Sequence, residues 1–268
     1  MPAEKATSLR RAVGLLVALA SDEALADGGM GVTALTESLG DEKSRVSRTL
    51  HTLQEYGLVE RDPGTLAYRI GWRVYALAER AGDAALLTAA PAKVSALVRE
   101  FAESAHLSVL QATQVLTVVS HPSPQAVSTV SWVGRHVPAH CTSSGRALLL
   151  DHDFDALERV FGSGPLPPAG PRAPRSVAEL HQRIIAARAA GYAIVREESE
   201  SGLVAVAAPV RDHRGRIVAA VNISAPAFRF EPRLESAGER LLAVADELSA
   251  SVGWRGPQPA PTGHYADL

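Results

Sequence analysis

Apolar positions recur at helical spacing near the start of the chain: Val13, Leu16, Val17 and Ala20 fall on one stripe, with Ser8 placed to cap the first turn. This predicts a helix over Ser8 to Ala20. From Asp22 to Gly31 the period breaks and Gly28 and Gly29 follow one another, so a loop is expected there. A short helix, Thr33 to Leu39, is stopped by Gly40. A third helix, Lys43 to Tyr56, has Asp41 as its expected N-cap and Glu42 in its first turn. At about 100° per residue, Val46, Thr49, Leu50 and Leu53 share its inner face, which leaves Ser44, Ser47, Arg48, His51 and Glu55 outside and Arg45 on a flank. The period then switches to two: Leu58, Val59, Glu60 and Arg61, the turn residues Asp62, Pro63 and Gly64, then Tyr68, Arg69 and Ile70 form a hairpin pattern. Trp72 to Ala81 reads as another helix, and Gly82 and Asp83 as a linker.

Strands dominate after Thr88. A helix through Phe101 and Ser104 precedes strand patterns at Leu107 to Leu110, Val115 to Ser120 and Val127 to Val133. Helices are expected from Thr142 or Ser143 through Leu150 and over Asp155 to Phe161, followed by a Pro- and Gly-rich loop, Gly162 to Pro174, with freedom to move. The helix Val177 to Ala190 ends at Gly191. Strands Tyr192 to Arg196, Gly202 to Val210 and Ile217 to Ser224 follow, the last two joined by a turn at Asp212 to Gly215. A closing helix, Pro232 to Val252, carries Leu234, Leu241, Leu242, Ala245 and Leu248 on its apolar side, and Gly256 to Leu268 reads as a disordered tail. The fold class is α+β.

The 268 residues favour two domains, and 46% hydrophobic with 21% charged residues is the composition of a folding globular chain. A single cysteine, Cys141, excludes an internal disulfide framework or a multi-cysteine zinc site and fits the cytoplasm. The apolar run Ala12 to Ala20 is too short to cross a membrane, so no membrane partner is expected. Net charge is -2, and any nucleic-acid surface must therefore be a local patch. Such a patch exists: between Lys43 and Arg73, six basic residues oppose three acidic ones.

Two helices joined by a tight turn, the second with a basic outer face, followed by a hairpin make a winged helix-turn-helix. A helix fits the DNA major groove and a wing lies on phosphates or in the minor groove. Arg45 is the candidate for a bidentate guanine contact, Ser44 and Ser47 for base edges or phosphates, Arg48 and Thr49 for the backbone, and Arg69 in the wing for a phosphate or minor-groove contact, with Lys43 a further DNA-binding candidate in the same basic patch. Asp41 and Glu42 oppose phosphate approach, so one module should bind weakly and a dimer more strongly. A packing module with a merely solvated basic face is the alternative.

These residues resemble the IclR family of bacterial transcriptional regulators. The resemblance runs through Ser8-Leu9-Arg10-Arg11-Ala12, Ser44-Arg45-Val46-Ser47-Arg48-Thr49-Leu50, Gly57-Leu58-Val59-Glu60-Arg61-Asp62 and Tyr68-Arg69-Ile70-Gly71. It resumes at Ser143-Ser144-Gly145-Arg146-Ala147-Leu148-Leu149, Gly191-Tyr192-Ala193, Glu197-Glu198, Gly202 to Val210 and Ala219 to Pro226. It implies a winged helix-turn-helix DNA-binding domain over 1–71, a linker helix over 72–87, a GAF-like mixed α/β effector-binding domain over 88–255 and the tail 256–268. It also implies a homodimer or homotetramer on an operator, usually as a repressor. Three positions depart from the family pattern: the long loop Ala24 to Gly31, Arg45 in place of a small hydroxyl residue, and Asn222 in place of a frequent serine.

In the second domain, Val137 to Ser144 leads into a helix whose first turn offers the Thr142, Ser143 and Ser144 hydroxyls beside free N–H groups, a receptor for a carboxylate or simply an N-cap. The resemblance implies an effector pocket lined by Ser143, Ser144, Gly145, Ala205, Asn222 and Ser224, with Cys141 and His140 nearby in sequence. A mostly apolar pocket with a few polar groups suits a small organic acid, aliphatic or aromatic. The competing reading is a hydrolase with a regulatory DNA-binding head, in which Cys141 beside His140 is a nucleophile or Glu197, Glu198 and Glu200 do acid–base work. Nothing in the spacing establishes a base or an oxyanion hole. The nine histidines lack close ligand spacing, though His106, His121, His136 and His140 lie on neighbouring segments; neither a metal nor a cofactor is expected, and the reading is a regulator rather than an enzyme.

Overall fold

A computed structural model describes residues 2–78, 84–125 and 132–256, and these fall into two compact units divided between Ala84 and Ala85. The first unit contains α1 (Pro2–Leu19), α2 (Asp22–Ala26), α3 (Val32–Leu39), α4 (Lys43–Glu55), β1 (Val59–Arg61), β2 (Tyr68–Ile70) and α5 (Trp72–Ala78). Its core is one leucine from each of several turns: Leu15 and Leu19 of α1, Leu35 of α3, and Val46, Leu50 and Leu53 of α4, closed by Val59 and Tyr68 from the hairpin. The hairpin is antiparallel and sets Glu60 opposite Arg69. At its turn the Asp62 carboxylate accepts from the Gly64 and Thr65 N–H groups at 2.9 and 2.8 Å, an arrangement that also lowers its pKa.

Two expectations are corrected here. The segment from Asp22 is not all loop, because Ser21 accepts from Ala24 N–H at 3.2 Å and Asp22 and Glu23 occupy the first turn of α2, which buries Ala24. Asp41 does not cap α4. Glu42 is the N-cap residue, without a side-chain cap bond, while Asp41 accepts from Glu42 N–H at 2.8 Å and pairs with Arg11 of α1. The Arg11 guanidinium first, and the Glu42 N–H second, hold the Asp41 carboxyl below its usual value. Where a helix is expected over Trp72 to Ala81, α5 covers Trp72–Ala78, and residues 79–83, with Gly82 and Asp83 among them, lie outside the described residues.

The second unit is a six-stranded sheet between two helical layers. In chain order it runs α6 (Ala84–Phe101), β3 (Ser104–Gln111), β4 (Gln114–His121), β5 (His136–Pro138), α7 (Ser143–Leu148), α8 (Phe154–Phe161), α9 (Val177–Ala190), β6 (Ala193–Arg196), β7 (Leu203–Arg211), β8 (Ile217–Pro226), α10 (Ala227–Phe230) and α11 (Leu234–Ser251). The strand order is β5-β4-β3-β8-β7-β6 and every pairing is antiparallel. Helices α6 and α11 bury one face through Val94, Leu97, Leu241 and Leu248 against Val206, Val221 and Ile223. Helices α7, α8 and α9 cover the other through Leu149, Leu157, Leu180 and Ile184 against Ala207 and Ala220. Central strand β7 is therefore buried on both sides, which is why Leu203 to Val210 is an unbroken apolar run and not an alternating one.

Of the strand expected at Val127 to Val133, residues up to Ser131 lie outside the described residues, and Trp132 and Val133 are not in a strand. The edge strand there is β5, too short and too close to Pro138 to show a period of its own. The helix expected to reach Leu150 ends at Leu148. The loop Gly162 to Pro174 is pinned: Leu166 N–H donates to Arg175 O at 2.9 Å, Gly170 N–H to Glu198 O at 2.8 Å, and His140 Nε2 to Pro167 O at 3.1 Å. Of the expected tail, residues after Gly256 lie outside the described residues.

Candidate functional site

The first candidate is the outer face of α4. Its inner side is anchored by Val46, Leu50 and Leu53, so the 3.6-residue repeat turns Lys43, Ser44, Arg45, Ser47 and Arg48 to solvent, with Thr49 half-buried on the boundary. Arg45 pairs with Glu42 at 3.1 Å, and its side chain stays half exposed. Arg48 Nε donates to Ser44 O at 3.3 Å, and Thr49 Oγ1 back-bonds to Arg45 O at 2.9 Å. Arg69 projects from β2 but pairs with Glu60 across the hairpin at 3.1 Å, so part of the wing's charge is neutralised within the module. Lys43, Ser44, Arg45, Ser47 and Arg48 are thus brought together on one helix turn and a half, and Arg69 stands apart on the wing.

The second candidate is a cavity of about 760 Å³ on the α7 side of the second unit's sheet. Six of the seven residues singled out from the sequence line it: Cys141, Ser143, Ser144, Ala205, Asn222 and Ser224. Gly145 does not. Its role is steric, since a Cβ there would stand 2.0 Å from Ala139 O, and its N–H is already taken by the Thr142 hydroxyl at 3.2 Å. Helix α7 has only six residues, so what this segment offers a ligand is individual hydrogen-bonding groups and not a macrodipole. Among the described residues, the side chains of Ser108, Thr117, Ser143, Ser144 and Asn222 face the cavity with no protein hydrogen-bond partner.

Sequence reasoning missed several cavity residues. His106 was singled out only for a metal; here it lies in the wall, 7% exposed, with Nδ1 3.0 Å from Ser120 Oγ and Nε2 3.4 Å from Ser224 Oγ. Burial, reinforced by His121, pulls its pKa down to about 4, so it is a neutral hydrogen-bonding ring at neutral pH. Trp132 sets its ring 6.1 Å from that imidazole. At one end Arg229 grips buried Glu103 through two bonds of 2.5 and 2.8 Å. For His106 the signal is strand register: it stands opposite Ser120 on β4 and Asn222 on β8.

The groups considered for catalysis do not assemble. Burial raises the Cys141 thiol to about 11, and its sulfur contacts Pro138 O at 3.7 Å, so the thiolate needed for attack is disfavoured. Glu197 accepts from Gly202 N–H at 2.9 Å, Glu198 is paired with Arg146 and Arg183, and Glu200 faces the cavity, so the three carboxylates serve separate places. Among the described residues no group of three or more His, Cys, Asp or Glu side chains is placed to hold a metal ion, and no helix is long and apolar enough to cross a membrane.

Comparison with known proteins bears directly on both sites. Residues 8–63 match the IclR helix-turn-helix domain and residues 80–250 match the bacterial transcriptional regulator IclR C-terminal domain. The chain is 32% identical over 250 residues to the glycerol operon regulatory protein of Streptomyces griseus, covering 91% of this chain and 94% of that protein. It is 27% identical over 253 residues to the HTH-type transcriptional regulator KdgR of Escherichia coli strain K12, covering 94% of each. An IclR homolog from Microbacterium hydrocarbonoxydans, solved in complex with 4-hydroxybenzoate, superposes with a TM-score of 0.73 at 25% identity, over 91% of this chain and 98% of that one. A helix with a basic outer face in one unit, a mostly apolar cavity with a few polar groups in the other and these matches across both together show a DNA-binding transcriptional regulator with a C-terminal effector-binding domain: the chain belongs to the IclR family of bacterial transcriptional regulators.

Proposed function

We propose that the chain is a repressor, working as a homodimer or homotetramer, in which residues 1–71 read an operator, 72–87 link, and 88–255 bind a small organic acid that sets operator affinity. Arg45 takes a guanine edge, Ser44 and Ser47 reach base edges or phosphates, and Lys43, Arg48, Thr49 and Arg69 hold the DNA backbone. The single observation that carries the effector half is the cavity wall: five side chains with unused hydrogen-bonding groups around a neutral imidazole, in a space suited to a small molecule. Neutral donors of this kind bind a carboxylate by hydrogen bonds, and the remaining hydroxyls and Asn222 suit further hydroxyl groups. The 4-hydroxybenzoate of the Microbacterium structure is of this class.

Two measurements test it. Gel shift with the DNA upstream of the neighbouring gene should give a specific complex at moderate salt, lost or strengthened on adding effector. A thermal-shift screen of hydroxylated aromatic and aliphatic acids should find a ligand that, at about 100 times its dissociation constant, adds about 2.7 kcal/mol of stability. Turnover of a small molecule without any specific DNA complex overturns the proposal in favour of a hydrolase.

A further inference from the structure

One buried amide in the effector cavity has no task in holding the fold together. Asn222 lies within β8, 7% exposed, and lines the cavity. Its side chain has no hydrogen-bond partner among the described residues. Strand register gives the reason. On its own rung of the sheet Asn222 stands between His106 of β3 and Ala207 of β7. Ala207 offers no polar side chain, and His106 has both ring nitrogens engaged, with Ser120 Oγ at 3.0 Å and Ser224 Oγ at 3.4 Å.

The next rung repeats the situation. Ser108 stands between Thr117 of β4 and Ala220 of β8, and the Ser108 and Thr117 hydroxyls are also without partners among the described residues. Ser108 and Asn222 are diagonal neighbours, about 7 to 8 Å apart, a gap that a small molecule can bridge. A buried polar group left unpaired is unfavourable unless water or a ligand reaches it. Here one can: among the described residues Arg146 Nε is the one fully covered side-chain nitrogen or oxygen that lacks a partner, so the amide of Asn222 keeps open surface on the cavity.

An asparagine amide sets a donor, its N–H groups, beside an acceptor, its carbonyl oxygen. A carboxylate suits the donor and is repelled by the acceptor, which leaves the acid group of a ligand to the Ser143 and Ser144 hydroxyls. Two hydroxyls on adjacent carbons suit both halves at once, one accepting from Nδ2 and the other donating to Oδ1. We propose that Asn222 is a specificity-determining residue for an effector that carries two adjacent hydroxyl groups besides its carboxylate, either a polyhydroxylated aliphatic acid or a dihydroxylated aromatic one. The inference rests on the reading of this cavity as an organic-acid site and names the chemistry at its other end. An acid lacking one of the two hydroxyls displaces water from the amide without replacing its hydrogen bonds, and is rejected for that reason.

The test is titration calorimetry of the full chain with two matched pairs, 3,4-dihydroxybenzoate against 4-hydroxybenzoate and gluconate against hexanoate. In at least one pair the more hydroxylated acid should bind about tenfold tighter or more, and the pair that shows it tells an aromatic source from an aliphatic one. Asn222→Ser, which keeps a polar side chain but not the amide, should abolish that preference while the less hydroxylated acid binds as before. An asparagine with a merely structural role would lower both affinities alike. The ratios in the unaltered protein decide the matter even where the variant does not fold. Equal affinity within both pairs, or a preference that survives Asn222→Ser, overturns the inference and leaves the organic-acid reading standing. Tighter binding of 4-carbamoylbenzoate, whose amide also matches the asparagine, overturns it in favour of an amide-bearing acid. No binding by any of the five overturns it as well, and the thermal-shift screen then decides the organic-acid reading separately.

Discussion

The recognition helix and the effector cavity solve opposite problems. On α4 the candidate DNA-binding side chains stand in solvent on the far side from Val46, Leu50 and Leu53, so one face holds the helix and the other is left open to a partner. In the cavity most of the polar groups are buried, and they come from β3, β4, β8 and the first turn of α7. Function and stability are therefore separable in the first unit and entangled in the second, because a buried polar group without its partner is costly whereas an exposed one is hydrated.

The strongest way to break this contrast is to delete one member of an ion pair in each unit. Glu198 is buried against Arg146, with the partly exposed Arg183 on its other side, so Glu198→Ala strands the buried Arg146 guanidinium and should cost about 3 to 5 kcal/mol in denaturant unfolding of the effector unit. Glu60 pairs with Arg69 on the exposed wing, and Glu60→Ala should cost about 0 to 1 kcal/mol. Equal losses would remove the distinction between the two units.

Acid should separate them next. In the folded chain burial keeps His106 neutral down to about pH 4, whereas an unfolded histidine takes its proton near 6.5. The unfolded state thus binds more protons between these values, and stability falls as pH drops through that window, by about 3 kcal/mol for this one ring. Above the window the ring contributes no pH dependence. Burial lowers His140 and His152 in the same direction, so the contribution of His106 is the part that His106→Gln removes from a calorimetric pH series. In the first unit the corresponding group is Asp41, held down by Arg11; its contribution is present above the usual carboxylate value of 3.8 and is lost only below it. The effector unit should accordingly weaken first on acidification.

A smaller effect sharpens the other side of the contrast. Arg45→Ala removes an exposed side chain, so operator affinity should fall by about 1 to 3 kcal/mol while the thermal midpoint stays where it was. Replacing Lys43 should instead weaken binding to all sequences alike and lower the salt slope by about one. Gel shifts over a salt series distinguish the two.

The same contrast governs what could be read from the chain before folding. The reading face of α4 was legible because a single local period decides it: Val46 and Leu50 fix the inside, and Ser44, Arg45, Ser47 and Arg48 must then point out. Helix α2 was hidden because its five residues are too few to show a period, and its Ser21 cap is a weaker sign than the paired glycines that follow. In the cavity, Ser143, Ser144, Asn222 and Ser224 emerged through likeness to a family. His106 and Thr117 did not, because their neighbours are set by pairing of β3 with β4 and β8, and a period-two pattern does not reveal which strand lies alongside. Gly145 came through the same likeness, which does not reveal that its close approach to Ala139 O leaves no room for a side chain.

The smallest predicted effect probes whether entanglement extends to a single hydroxyl. Ser224 sits at the end of β8, half-buried, 3.4 Å from His106 Nε2, with Asn222 and Thr117 in the same wall. Its hydroxyl is long from the imidazole for a strong bond, so its loss should leave the ring held by Ser120 at 3.0 Å. Ser224→Ala should then cost about 0.5 to 1.5 kcal/mol of effector affinity, read by titration calorimetry, with little change in unfolding. A loss of stability as large as the loss of affinity would instead place Ser224 among the groups that hold His106 in its neutral, buried state. Ser224→Ala would in that case also shift the acid-unfolding window attributed above to His106.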